Sequence, residues 1–179
     1  MAVPSPQAIR TKSFTAAVSS AVAWNVLTDY DHLQAFVTSM RSSRVRSRGD
    51  GFLMVEQESV GKALLFKRTF RVLLKVREEP RQSIAFEDVS GVSFARYEGS
   101  WTLKETPAGV EVTYRLTAKG GFIAPGFVMR GASRKMVEEL LDQVRAEMSL
   151  RGAPTAAHAP RPPGFARRAP QALHSGAAN

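Results

Sequence analysis

From Met40 to Lys119 apolar and polar side chains alternate with a period of two, interrupted only briefly. Such patterning commits the segment to a sheet, because a helix would scatter the same residues around its circumference. The interruptions are turn chemistry: Gly49-Asp50-Gly51, Pro80-Arg81, Ser90-Gly91 and Pro107-Ala108-Gly109. Each favours a tight reversal, so the flanking strands are expected to pair as antiparallel hairpins. The strands read as MRSSRVRSRG, DGFLMVEQESVG, ALLFKRTFRVLLKVREE, QSIAFEDVS, FARYEGSWTLKET and GVEVTYRLTAK. With IRTKSFTAAV before them, the sheet has about seven strands.

Two short helices interrupt this pattern after the first strand. Ser19 or Ser20 can cap a helix running through Leu27, whose apolar content is Ala21, Val22, Trp24, Val26 and Leu27. A second, from roughly 31 to 37, is expected to bury Leu33, Phe36 and Val37. The last element opens at Pro125, a residue suited to the first helical turn. Val128, Met129, Ala132, Met136, Val137, Leu140, Val144 and Met148 then recur at helical spacing. Arg134 with Glu138 and Lys135 with Glu139 are expected to pair on the other face. The class is therefore α+β. A long final helix must lay its stripe against the concave side of the sheet, which tends to leave a hollow between them.

Residues 9–150 form the expected folded domain, with 1–8 as a flexible start. Residues 151–179 are rich in Ala, Pro, Arg and Gly without periodicity, and read as a disordered basic tail. Net charge is +9. Arg151, Arg161, Arg167 and Arg168 supply four of these charges, so the folded part is only mildly basic. The chain has no cysteine, which removes disulfides, thiol nucleophiles and Cys-based zinc sites. No apolar run is long enough for a membrane helix. The start, MAVPSPQAIR, shows no signal peptide, so a cytoplasmic location is expected, or a periplasmic one if a leader was removed.

Trp24-Asn25-Val26-Leu27-Thr28-Asp29-Tyr30-Asp31, the following Phe36-Val37, Gly99-Ser100-Trp101 and the Pro125-led helix carry a family resemblance. Over residues 9–150 the chain resembles the polyketide cyclase/dehydrase and coenzyme Q-binding branch of the START-like, Bet v 1-like (SRPBCC) superfamily. Thr38 stands where many relatives carry proline. The resemblance implies a helix-grip fold with an internal cavity for a hydrophobic ligand. Members bind lipids, quinones, sterols or polyketides, and a minority catalyse cyclisation or dehydration. No cofactor is implied.

Asp29-Tyr30-Asp31-His32 has the composition of a catalytic or metal site. Adjacent side chains in a tight turn seldom converge on one point, and the other two histidines, His158 and His174, lie in the tail. The expectation is structural: Asp29 closes the first helix, Asp31 caps the second, and Tyr30 and His32 are partly exposed. No catalytic or metal-ligating residue is assigned.

Alternation places Phe66, Arg68, Phe70, Val72, Leu74 and Val76 on one strand face. Arg68 thus occupies an apolar phase, where a guanidinium is costly unless paired. It either reaches into the cavity toward a ligand oxygen, turns outward at a bend, or pairs with Glu56, Glu58 or Glu98. Phe66, Phe70, Phe86, Tyr97, Trp101 and Tyr114 share the inward phase, and any core would be built in this way. Given the implied fold, some of them line the cavity, with Tyr97 or Tyr114 able to bond a ligand and Met129, Met136 and Leu140 as the opposite wall. Arg44, Arg46 and Arg48 are expected to share one strand face near Arg41. With the basic tail, these arginines are a solvated surface or a site for anionic membrane or RNA. Lys119-Gly120-Gly121-Phe122-Ile123-Ala124-Pro125 lacks phosphate-loop spacing and reads as a connector or a lid.

The leading functional expectation is a carrier or chaperone for a hydrophobic small molecule: a lipid, an isoprenoid quinone or a polyketide-like compound. One alternative is a polyketide cyclase or dehydratase, with Tyr97, Tyr114, Arg68 and Glu98 as its only plausible actors. A second is a ribosome-associated RNA-binding regulator.

Overall fold

The computed structural model describes residues 7–63, 66–120 and 126–153, with side chains within 9–61, 67–120 and 134–153. Expectations that fall on 121–125 and on 154–179 lie outside the described residues. The chain runs β1 (Gln7–Ala16), α1 (Ser20–Leu27), a 3-10 turn (Tyr30–Ala35), β2 (Met40–Gly49), β3 (Phe52–Ala63), β4 (Phe66–Glu79), β5 (Ser83–Asp88), β6 (Phe94–Thr106), β7 (Gly109–Gly120) and α2 (Gly126–Gly152). The seven strands form one antiparallel sheet in the order β1-β7-β6-β5-β4-β3-β2. All neighbours except β1–β7 are sequential hairpins, as the turn residues require.

Alternation sorts the two faces of this sheet. Leu53 and Val55 on β3, Val72, Leu74 and Val76 on β4, Ile84 on β5, and Val110, Val112 and Tyr114 on β7 are all buried. Val137, Leu141, Val144 and Met148 cover them from α2, at the spacing of one helical face. Each such side chain contributes roughly 1.5–3 kcal/mol on burial, so this double layer is the main source of stability. The polar face of α2 carries the expected pairs, Arg134–Glu138 at 3.1 Å and Lys135–Glu139 at 3.7 Å. Lys12 of β1 also reaches Glu138, at 3.2 Å.

Local chemistry sets the element ends. The Ser19 hydroxyl accepts the Val22 N–H and starts α1. Gly109 opens β7 with φ +124, and a Cβ there would stand 2.1 Å from the Ala16 carbonyl oxygen. Only glycine can both turn the β6–β7 hairpin and let the end of β1 pass so closely.

Two expectations need correction. Arg44, Arg46 and Arg48 do not share a face. The register of β2 against β3 shifts between Val45 and Ser47, pairing Arg44 with Glu56 but Arg48 with Leu53. Directly opposed residues point the same way, so Arg48 takes the side of a core leucine while Arg44 stays on the convex face. Arg46, at the irregularity, is ion-paired with Glu56. Arg41 meets Glu58 at 3.5 Å. In addition, α2 continues through Gly152, so Arg151 is a helical residue with partners of its own.

Candidate functional site

The Asp29-Tyr30-Asp31-His32 stretch turns the corner between α1 and β2, and each polar side chain has a structural task. Thr28, not Asp29, ends α1, donating its N–H and its hydroxyl to the Trp24 carbonyl. Asp29 holds His32 Nδ1 at 2.6 Å through one oxygen and Arg151 at 2.9 Å through the other. Burial pushes the Asp29 carboxyl up, but the bonds to His32 and Arg151 outweigh it and leave the group below its ordinary value. Asp31 does not cap the 3-10 turn. Its Oδ1 accepts the Val45 N–H at 2.8 Å on the outermost strand, where the sheet offers that group no neighbour. Tyr30 is buried rather than partly exposed, and its hydroxyl donates to Glu78 at 2.7 Å. Burial and that bond push its pKa far up. His32 is exposed. Among the described residues no group of three or more His, Cys, Asp or Glu is placed to hold a metal.

The hollow between sheet and helix is a cavity of about 110 Å³. Val26, Leu27, Tyr30, Leu33 and Val37 form its roof at the α1 corner, and Leu140 and Val144 close it from α2. Its floor is the concave face: Val55 and Gln57 of β3, Leu74 and Val76 of β4, Ile84 and Phe86 of β5, Tyr97 and Trp101 of β6, and Tyr114 of β7. The aromatic rings run side by side across this floor. Trp101 and Tyr114 have centroids 4.3 Å apart, Phe86 and Tyr97 6.0 Å, and Phe94 and Tyr97 4.8 Å. Gly99 permits this layout. A Cβ there would stand 2.6 Å from the Phe86 ring and 2.2 Å from the Arg115 carbonyl oxygen. Its absence lets the Phe86 ring lie down on the strand.

Among the described residues of this lining, polar groups are few and uncharged. The Tyr97 and Tyr114 hydroxyls are within hydrogen-bonding reach of one another, and either can donate. Burial raises the pKa of both phenols, so both stay protonated at neutral pH. The Gln57 amide donates to the Ser43 hydroxyl at 3.3 Å, and Ser43 is fully buried.

Of the residues singled out from sequence, Phe86, Tyr97, Trp101, Tyr114 and Leu140 meet at this cavity. Phe70 is half-buried and stacks on Phe94 at 5.2 Å. Met136 is half-buried near Gly61, whose missing Cβ would approach its sulfur to 3.3 Å. Neither belongs to the lining. Arg68 pairs in register with Gly61 and keeps the inward phase, yet its side chain is exposed. The side chains of Phe66 and Met129 lie outside the described residues. Glu98 is paired with Arg96 at 2.6 Å, and its alternation with Tyr97 and Gly99 sets it on the convex face. Sequence reasoning missed Tyr30, Gln57 and the α1 residues. Gln57 carried a readable signal, a polar residue in the same phase as Leu53 and Val55. Tyr30 carried none.

A family model described as "Polyketide cyclase / dehydrase and lipid transport" matches residues 17–145. Among curated proteins none matches the chain by sequence. Solved structures share the fold at low identity. TTHA0849 from Thermus thermophilus is 18% identical with a TM-score of 0.67, over 83% of this chain and 100% of that one. The Zhui aromatase/cyclase from Streptomyces sp. R1128 is 15% identical with a TM-score of 0.66, over 85% and 98%. A STAR-related lipid transfer protein from Xanthomonas axonopodis is 17% identical with a TM-score of 0.61, over 78% and 85%. With strand order, grip helix and cavity in agreement, the chain belongs to the polyketide cyclase/dehydrase and lipid transport family.

Proposed function

We propose that this protein is a carrier that shelters the ring-sized apolar part of a hydrophobic small molecule in the cavity beneath α2. The observation that carries this reading is the lining itself: apolar and aromatic, closed by a helix, with a few neutral polar groups. Ligand sites have that composition, whereas acid–base catalysis needs an ionisable group placed at the substrate. Of the four side chains an enzyme would have to use, Glu98 faces away from the cavity, Arg68 is exposed, and only the two tyrosines touch the lining.

Size narrows the ligand. An apolar cavity of about 150 Å³ accepts benzene, so about 110 Å³ suits one ring or a short branched chain. A fused multi-ring polyketide exceeds it. An isoprenoid quinone fits as a headgroup inside and a chain extending out, and is the ligand favoured here. The Zhui protein is named an aromatase/cyclase and the Xanthomonas protein a lipid transfer protein. The lining sides with transfer.

Native mass spectrometry of the purified protein, with solvent extraction of whatever accompanies it, tests the reading. A stoichiometric quinone or lipid is the expected result. A protein that comes empty and binds no added short-chain quinone overturns it.

A further inference from the structure

The lining is as informative for what it lacks. Among the described residues around the cavity none is charged. An anionic ligand group entering it would lose its hydration and meet no cation, which is among the most costly events in a protein interior. Asp88 adds to this. Its Oδ1 accepts the Leu73 N–H at 3.0 Å, the Ser90 N–H at 2.9 Å and the Ser90 hydroxyl at 2.7 Å. Its Oδ2 is buried without a hydrogen-bond partner, and its charge acts on Tyr97. Opposed in register to Leu74, this carboxyl group shares the concave face with the aromatic floor, beside Tyr97.

The tyrosine pair supplies the complementary half. Two hydroxyls carry two hydrogens, and only one is shared between them. Either hydroxyl can be the donor to the other, so one hydrogen of the pair remains. That hydrogen is available, and both rings line the cavity. A single neutral donor in an apolar enclosure matches a carbonyl, quinone or ether oxygen, which needs one donor and brings no charge.

We infer that the cavity discriminates by charge: it takes neutral ring compounds bearing an acceptor oxygen, held by the Tyr97–Tyr114 hydroxyl pair, and refuses carboxylates of the same size. This rests on the carrier reading above and adds the Tyr97–Tyr114 pair as the groups that set specificity. It predicts that free aromatic and fatty acids do not place their headgroups inside.

The test uses three probes of nearly equal size on the full chain at neutral pH: acetophenone, benzoate and toluene. Binding is followed through the methyl NMR signals of Ile84 and Val144, which face the cavity. Acetophenone and toluene are expected to shift these signals, with benzoate weaker than acetophenone by roughly a hundredfold or more. Tyr97→Phe combined with Tyr114→Phe is expected to weaken acetophenone about tenfold and to leave toluene unchanged, which also reports that the variant is folded. Benzoate binding as well as acetophenone overturns the inference, and its loss on Arg68→Gln would assign the carboxylate to that arginine instead. Equal effects of the double variant on acetophenone and toluene overturn the role of the hydroxyl pair. If no probe binds, the carrier reading falls and this inference with it.

Discussion

The carboxylate of Asp29 lies 2.9 Å from the guanidinium of Arg151, joining residues 122 positions apart. The same guanidinium reaches Glu147 at 2.7 Å and lies over the Phe36 ring at 5.6 Å. The last turn of α2 is thereby fastened to the corner that roofs the cavity. What reads as catalytic composition in the sequence is a latch.

Asp29→Asn is expected to lower stability at pH 7 by roughly 0.5–1 kcal/mol. The sign with pH follows from the lowered pKa of Asp29. Its contribution is complete above the ordinary value of 3.8 and is lost as pH falls through the lower value of the folded state. Urea unfolding of both proteins from neutral pH to below 3.8 should show the gap closing. A gap that stays constant would mean that the charge of Asp29 is not what matters.

Asp31 tests the separation of scaffold from site. Asp31→Ala leaves the Val45 N–H without its acceptor and should cost about 1 kcal/mol. Ligand binding per folded molecule should not change. A selective loss of binding with unchanged stability would return this stretch to the functional site.

Gly99→Ala puts a methyl 2.2 Å from the Arg115 carbonyl oxygen and 2.6 Å from the Phe86 ring. One of the two must move, at an expected cost of about 1–3 kcal/mol. Because Phe86 lines the cavity, ring-sized probes should also bind more weakly. A variant as stable as the parent, with the same affinity, would show that this contact is not needed.

Val144 is 2% exposed and closes the cavity from α2. Val144→Phe should fill much of the 110 Å³ and abolish binding of toluene-sized probes. Overpacking should cost no more than about 1–3 kcal/mol, since the added ring has space to occupy. Thermal unfolding and probe titration on one preparation separate the two effects. Undiminished binding would place the ligand elsewhere.

The period-two run from Met40 to Lys119 determined the hairpins, because alternation, Gly-rich turns and Pro80 are local signals that survive without tertiary context. Ser19 capped α1 as expected, and the stripe through Val137, Val144 and Met148 faces the sheet. Phe86, Tyr97, Trp101 and Tyr114, which share the inward phase of β5 to β7, line one cavity.

Tertiary structure decided the rest, for reasons with physical names. The irregularity between Val45 and Ser47 moved Arg48 to another face, and a one-residue slip leaves little local trace. Tyr30 became buried because Glu78, 48 residues away, offered its hydroxyl an acceptor. Arg68 kept its inward phase yet stayed in solvent, because alternation sets direction while depth depends on what stands opposite. The sequence by itself determined which side chains could face a cavity. Only the packing of α2 and the α1 corner over the sheet decided which of them do, and that none of the described residues lining the cavity is charged.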